Sequence, residues 1–183
     1  MCIRDSDGDE DIVVTNGHVM NHPIGGPAQE SVVLANVGDG RFQRQLFAAD
    51  NFLSEKHIGR GLVATDLDRD GDLDLVFALC NEPSAVLVNE MPRAGSSVVV
   101  HLTGTASNRD AIGARAVLHT SHGDYLRTVV GGGSYLSQAE FDLFWGIPHG
   151  TTITSLTVHW PNGASQEIEV GDLKDIRVLQ PAM

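Results

Sequence analysis

Apolar residues in this chain come in short runs, each introduced by a cluster of aspartates or closed by a glycine turn. That is the rhythm of strands joined by loops, and helical periodicity is absent throughout. Two stretches repeat. DSDGDEDIVV at 5–14 matches DRDGDLDLVF at 68–77, and SVVLAN at 31–36 matches SAVLVN at 84–89. The first pair is offset by 63 residues and the second by 53, so the first repeat holds about ten additional residues, around NGHVMNHPIGGPAQ, which belong on a surface loop. Each unit reads as acidic loop, buried strand, loop, second strand and then a turn such as Val37-Gly38-Asp39-Gly40. Repeats of this period suit propeller blades, which manage exposed strand edges by radial repetition. Two units do not close a ring, so the sequence is expected to be the C-terminal remnant of a longer protein. Ile3 stands where the first repeat would carry the counterpart of Asp66. Met1 to Arg4 are therefore expected to be foreign to the repeat, with no proper strand before the loop and a frayed start.

From about Ser96 the acidic loops stop and strand signals take over: SVVVHL, GARAVLHT, DYLRTVV, TSLTVHW and SQEIEV. Leu156, Val158 and Trp160 alternate with Thr157 and His159, the period of a half-buried strand, and Pro161-Asn162-Gly163 supplies a hairpin turn before Gln166 to Val170. The boundary is expected near Met91 to Gly95, giving domains at 1–95 and 96–183.

Charge narrows the partners. Twelve basic against twenty-four acidic residues leave a net charge of −12, a field that repels nucleic acid and favours cations. The acids crowd into Asp5 to Asp11 and Asp66 to Asp74, each with glycine and each followed by an apolar run, which points to metal loops. Cys2 and Cys80 do not make a disulfide framework. No run approaches a membrane span, so no membrane insertion is expected, and MCIRDS lacks the features of a signal peptide. Any export signal is expected on a missing upstream segment.

The chemistry concentrates in Asp66-Leu67-Asp68-Arg69-Asp70-Gly71-Asp72-Leu73-Asp74. Carboxylates occupy alternate positions and glycine the sixth, where the chain must turn sharply. Calcium takes roughly six to eight oxygens at about 2.3–2.6 Å, so a short loop folding its own carboxylates inward makes an efficient cage. Side-chain ligation is expected from Asp66, Asp68, Asp70 and Asp74, and carbonyl ligation from Asp72. An EF-hand would need a glutamate at the twelfth position and flanking helices; here that position is Phe77, and the flanks read as strands. A solvated turn is the alternative, but five aspartates in nine residues repel one another without a cation. Asp5, Asp7, Asp9 and Asp11 form a second, incomplete candidate for which both readings stay open.

Other signals are weaker. His18 and His22 fall in a loop with Pro23 and glycines. Gly131-Gly132-Gly133-Ser134 lacks the context of a phosphate cradle and reads as a tight turn, and no catalytic triad is recognisable. Trp145 and Trp160, with Tyr125 and Tyr135, could offer a sugar-stacking surface, but core packing is the stronger reading for both tryptophans.

The motifs TNGHV at 15–19, GRGLVATDLDRDGDLDLV at 59–76, SNRDAIGARAVL at 107–118, GGGSYLSQ at 131–138 and VHWPNG at 158–163 span nearly the whole chain. In that order the sequence resembles FG-GAP or VCBS-type propeller repeats followed by an ASPIC/UnbV domain, the arrangement of cartilage acidic protein-like proteins. Phe144-Trp145-Gly146-Ile147 departs from the family's FGLG-like segment, so the local turn there is expected to differ. The resemblance implies an all-β chain, with the C-terminal blades of an incomplete propeller and then a small β-sandwich-like domain. It further implies calcium-stabilised repeats and an extracellular or cell-envelope setting. In the C-terminal domain Asn108, Arg109 and Asp110 are the candidate binding residues, and a structural turn explains them equally well. The function expected is a binding or adhesion module with no catalytic activity of its own, directed at a protein or glycan ligand. The rival is the non-catalytic portion of a larger secreted carbohydrate-active enzyme.

Overall fold

The computed structural model describes residues 2–3, 10–19, 26–91, 95–171 and 174–182. Among them the only helical segment is one 3-10 turn at Phe52–Ser54, begun by Asn51, whose side chain accepts the Leu53 N–H at 2.9 Å. Everything else regular is strand, and the described residues form two compact units. One takes those up to Met91 together with Gly132–Ala139; the other takes those from Gly95 on, without that excursion.

The first unit contains Cys2–Ile3 (β1), Asp11–Val14 (β2), Gln29–Glu30 (β3), Val32–Asn36 (β4), Phe42–Arg44 (β5), Lys56–His57 (β6), Gly59–Thr65 (β7), Asp74–Leu79 (β8) and Ala85–Leu87 (β9). They build an antiparallel sheet of order β1-β2-β4-β5, a second of order β7-β8-β9, and a small β3-β6 ladder. The matched segments of the two repeats pair as their alignment requires. Val13 lies opposite Val33 and Val76 opposite Val86, both in antiparallel register.

The start of the chain differs from expectation. Cys2 pairs with Ile12 and Ile3 with Asp11, so a short strand does precede the first acidic loop. Backbone pairing asks nothing of the side chain, so isoleucine where the second repeat has Asp66 is compatible with a strand. The core of this unit is Val13, Leu62, Leu75 and Phe77, with Phe52 edge-on to Phe77 at 5.1 Å. His57 stacks on Phe52 at 4.2 Å and meets Glu82 through Nδ1 at 2.7 Å.

The second unit contains Gly95–Thr103 (β10), Arg115–Thr120 (β11) and Gly123–Thr128 (β12). The hairpin Gly133–Ser134 (β13) and Ser137–Gln138 (β14) interrupts it and belongs to the first unit. The strands then resume as Leu143–Pro148 (β15), Ile153–His159 (β16), Ser165–Glu169 (β17) and Asp175–Leu179 (β18). Two sheets, β15-β10-β18 and β12-β11-β16-β17, enclose one core. Val98, Val100, Trp145 and Ile176 come from the first, and Ala116, Leu118, Leu156 and Val158 from the second. This is the sandwich solution, in which alternate residues of each strand face inward. Both tryptophans are core residues, and each indole N–H finds an acceptor: Tyr125 O for Trp145 at 3.1 Å and Gln166 Oε1 for Trp160 at 3.2 Å. The segment Phe144 to Ile147, where a different turn was expected, lies within continuous strand β15.

Candidate metal centre

Thr65 at the end of β7 pairs with Asp74 at the start of β8, so the acidic loop closes an antiparallel hairpin. Strands on both sides separate it from a helix-loop-helix site. The loop turns twice through left-handed backbone, at Arg69 (φ 60°) and at Gly71 (φ 95°). Glycine adopts that region freely, whereas Arg69 does so at a steric cost, which marks a constrained loop.

Its carboxylates curl inward onto the loop's own backbone. Asp66 accepts the N–H groups of Asp70 at 3.1 Å and Gly71 at 2.9 Å, one on each oxygen. Asp68 Oδ1 also accepts from Asp70 N at 3.2 Å, and Asp70 Oδ1 accepts from Asp72 N at 2.9 Å. Asp74 is almost fully buried; its Oδ2 accepts Leu67 N at 2.9 Å and its Oδ1 accepts Asn89 N at 2.8 Å.

Within this frame one ligating oxygen each from Asp66, Asp68 and Asp74 falls within 4.8 Å of the others. Of the four aspartates expected to ligate through their side chains, these three converge and Asp70 lies outside the trio; Asp72 is expected to ligate through its backbone carbonyl, which a carboxylate cluster does not address. Burial raises the Asp66 pKa above its ordinary value and the charge of Asp70 adds to the rise, while the N–H bonds from Gly71 and Asp70 oppose it. A hard divalent cation at the centre of the trio would relieve the like-charge repulsion and offset the burial of Asp74 and, in part, of Asp66, while Asp68 stays open to solvent; an all-oxygen donor set of this kind fits calcium.

The first acidic loop is described only at its end. Asp5, Asp7 and Asp9 lie outside the described residues, and Asp11 Oδ1 accepts Asn36 N at 2.8 Å. Asp11 and Asp74 are aligned positions, and so are Asn36 and Asn89. The asparagines also turn alike: Asn36 Oδ1 accepts Gly38 N and Asn89 Oδ1 accepts Met91 N, each at 3.1 Å. Sequence reasoning treated these asparagines as strand ends only. Their recurrence at the close of SVVLAN and SAVLVN was the available signal.

The remaining candidates resolve into turns. Asn108 bonds Ile112 twice, accepting its N–H at 2.7 Å and donating to its carbonyl at 2.9 Å, and Arg109 O accepts Gly104 N at 2.9 Å. Arg109 and Asp110 remain exposed on that turn. Gly133 and Ser134, expected in a tight turn, instead form strand β13, and the hairpin turns one step later at Tyr135 and Leu136. His18 donates its backbone N–H to Pro27 O, and His22 lies outside the described residues. Gln180 was missed altogether. It is buried, and its Oε1 gathers the N–H groups of Thr105, Ala106 and Ser107 and the Ser107 hydroxyl, at 2.9 to 3.0 Å.

Comparison with known families covers both units. The model of the FG-GAP-like repeat matches residues 4–77, and that of ASPIC and UnbV matches residues 104–179. The chain thus joins FG-GAP-like repeats to an ASPIC/UnbV domain. No curated protein matches the sequence.

Proposed function

We propose that the chain is a calcium-binding module of an extracellular or envelope protein, without catalytic activity of its own, that engages a protein or glycan ligand. Convergence of Asp66, Asp68 and Asp74 carries the metal part of this reading. The FG-GAP-like repeats support the setting. Calcium would fasten the β7–β8 hairpin and thereby the end of β9, because Asp74 reaches both the loop and Asn89.

The test is thermal unfolding of the whole chain in calcium and in chelator, alongside calorimetric titration. Calcium binds the folded loop and not the open chain, so it should add about 2.7 kcal/mol when its free concentration is a hundredfold above the dissociation constant. Melting curves that coincide in calcium and chelator, with no heat of binding, would remove the metal and leave an acidic turn.

A further inference from the structure

The two repeats differ at their outer edge. In the first, β5 covers the outer edge of β4, whereas nothing among the described residues pairs with the outer edge of β9 in the second. The first repeat shows which backbone groups that edge presents. Gln45 N donates to Val33 O at 2.9 Å, so Val33 turns its polar groups outward, and in an antiparallel ladder every second residue does the same. Asn36 and Asn89 both send their N–H inward, to Asp11 and Asp74, so the repeats are in phase. Val86 and Val88, the counterparts of Val33 and Ala35, therefore offer their N–H and C=O groups to a bare edge.

Exposure agrees: Val86 and Val88 are 54% and 52% exposed, while Val33 and Ala35 beside β5 are half-buried. Such edges are ordinarily blunted by lysine, proline or a bulge, because they template pairing with other chains. Ala85-Val86-Leu87-Val88-Asn89 contains neither a charge nor proline nor glycine. A cavity of about 720 Å³ runs along it, its lining taking in every residue from Val86 to Met91 together with Val13, Val33 and Asp11.

The strand that covers β4 shows what such an edge takes. β5 runs antiparallel with Gln43 opposite Ala35 and Phe42 opposite Asn36, and Arg41 O accepts Val37 N at 2.9 Å. Shifted by the 53 residues that separate the second halves of the repeats, the same strand would set an apolar ring opposite Asn89 and a guanidinium opposite Glu90. Opposed residues share a face of the sheet, so the ring would enter the cavity that Asn89 lines. Glu90 and Asp11 in that lining, within a chain of net charge −12, select a basic partner.

We infer that the outer edge of β9 captures an extended segment of a protein partner, added antiparallel as a fourth strand, with a basic residue opposite Glu90 and an apolar one opposite Asn89. This rests on the reading of the chain as a binding module and gives its protein ligand a chemistry. Main-chain bonds to Val86 and Val88 supply affinity, and the two side-chain positions supply selectivity.

The probe is the peptide GRFQRQLF, the sequence of residues 40–47, titrated into the whole chain in calcium. Labelled peptide should gain anisotropy, and the amides of Val86 and Val88 should slow in residue-resolved hydrogen exchange while those of Val33 and Ala35 do not change. Gln43→Pro in the peptide deletes a ladder donor and should abolish binding. Glu90→Lys, at an exposed position, should weaken binding about fivefold with an unchanged circular dichroism spectrum, and Arg41→Glu in the peptide should restore it on that variant alone. No binding to a folded chain whose melting still responds to calcium, binding that leaves Val86 and Val88 exchanging as before, or equal binding of the proline peptide would each overturn the inference while sparing the calcium reading. A parent that dimerises with Val86 and Val88 already protected would overturn it too, giving the edge to a second copy. Peptide capture at Val86 and Val88 by a chain indifferent to calcium would uphold it and fail the calcium reading.

Discussion

Asp74 Oδ1 accepts the backbone N–H of Asn89 at 2.8 Å. The same bond, at the same length, joins Asp11 to Asn36 in the first repeat. The last aspartate of each acidic loop is thus a structural residue of the sheet, ready to hold the second matched segment whether or not a cation is present. Asp74→Ala in chelator should therefore cost about 2–4 kcal/mol, because two backbone donors lose their acceptor in a buried setting. Urea unfolding of parent and variant, both without calcium, measures it. A loss below about 0.5 kcal/mol, the range of an ordinary surface change, would mean the carboxylate serves the metal alone.

Asp68 and Asp70 should separate in the calcium titration. Asp68 contributes to the convergent trio, while Asp70 Oδ1 is engaged by Asp72 N at 2.9 Å. Asp68→Ala should lower calcium affinity more than Asp70→Ala does. Equal losses in calorimetry would place Asp70 in the cage and reverse the ranking drawn from the loop geometry.

Leu136 is 90% exposed and holds φ 47° in its turn. Leu136→Gly should raise stability by about 1 kcal/mol, the left-handed penalty of an L-residue less part of glycine's entropic cost. The change is read as a rise in denaturant midpoint at unchanged slope. A fall would show that the exposed leucine packs against its own hairpin after all.

Glu82 offers a pH test. Its pKa is lowered by the hydrogen bond from His57 and then by that from Ile58 N. A depressed folded pKa contributes stability that is present above the unfolded value, near 4.5, and is lost as the pH falls through the folded one. Parent and Glu82→Gln should then differ most above about pH 5 and converge in stronger acid. Parallel melting temperatures from neutral pH down to pH 3 would contradict this.

Much of the site was legible because its signals are local. Alternating aspartates with glycine at the sixth position describe a hairpin loop in themselves, and the repeat offsets align Val13 with Val76 and Val33 with Val86, which turn out to pair alike within the two sheets. Trp160-Pro161-Asn162-Gly163 likewise marks its own turn. What stayed hidden depends on partners far along the chain. Nothing in GGGSYLSQ says that its hairpin leaves the C-terminal unit to rest on Gly61, and nothing near Gln180 says that its amide will gather the loop at 105–107. Hydrophobic period reports which face of a strand is buried, but not against what.

Strand β10 lies between β15 and β18, and its pairing with β18 is parallel, matching Val99 with Asp175 and Thr103 with Leu179. The earliest strand of the second unit is therefore completed by its latest. During synthesis β10 must wait with one edge bare until that distant partner has emerged, a closure of high contact order that makes folding slow and leaves the nascent chain exposed to edge pairing with its neighbours.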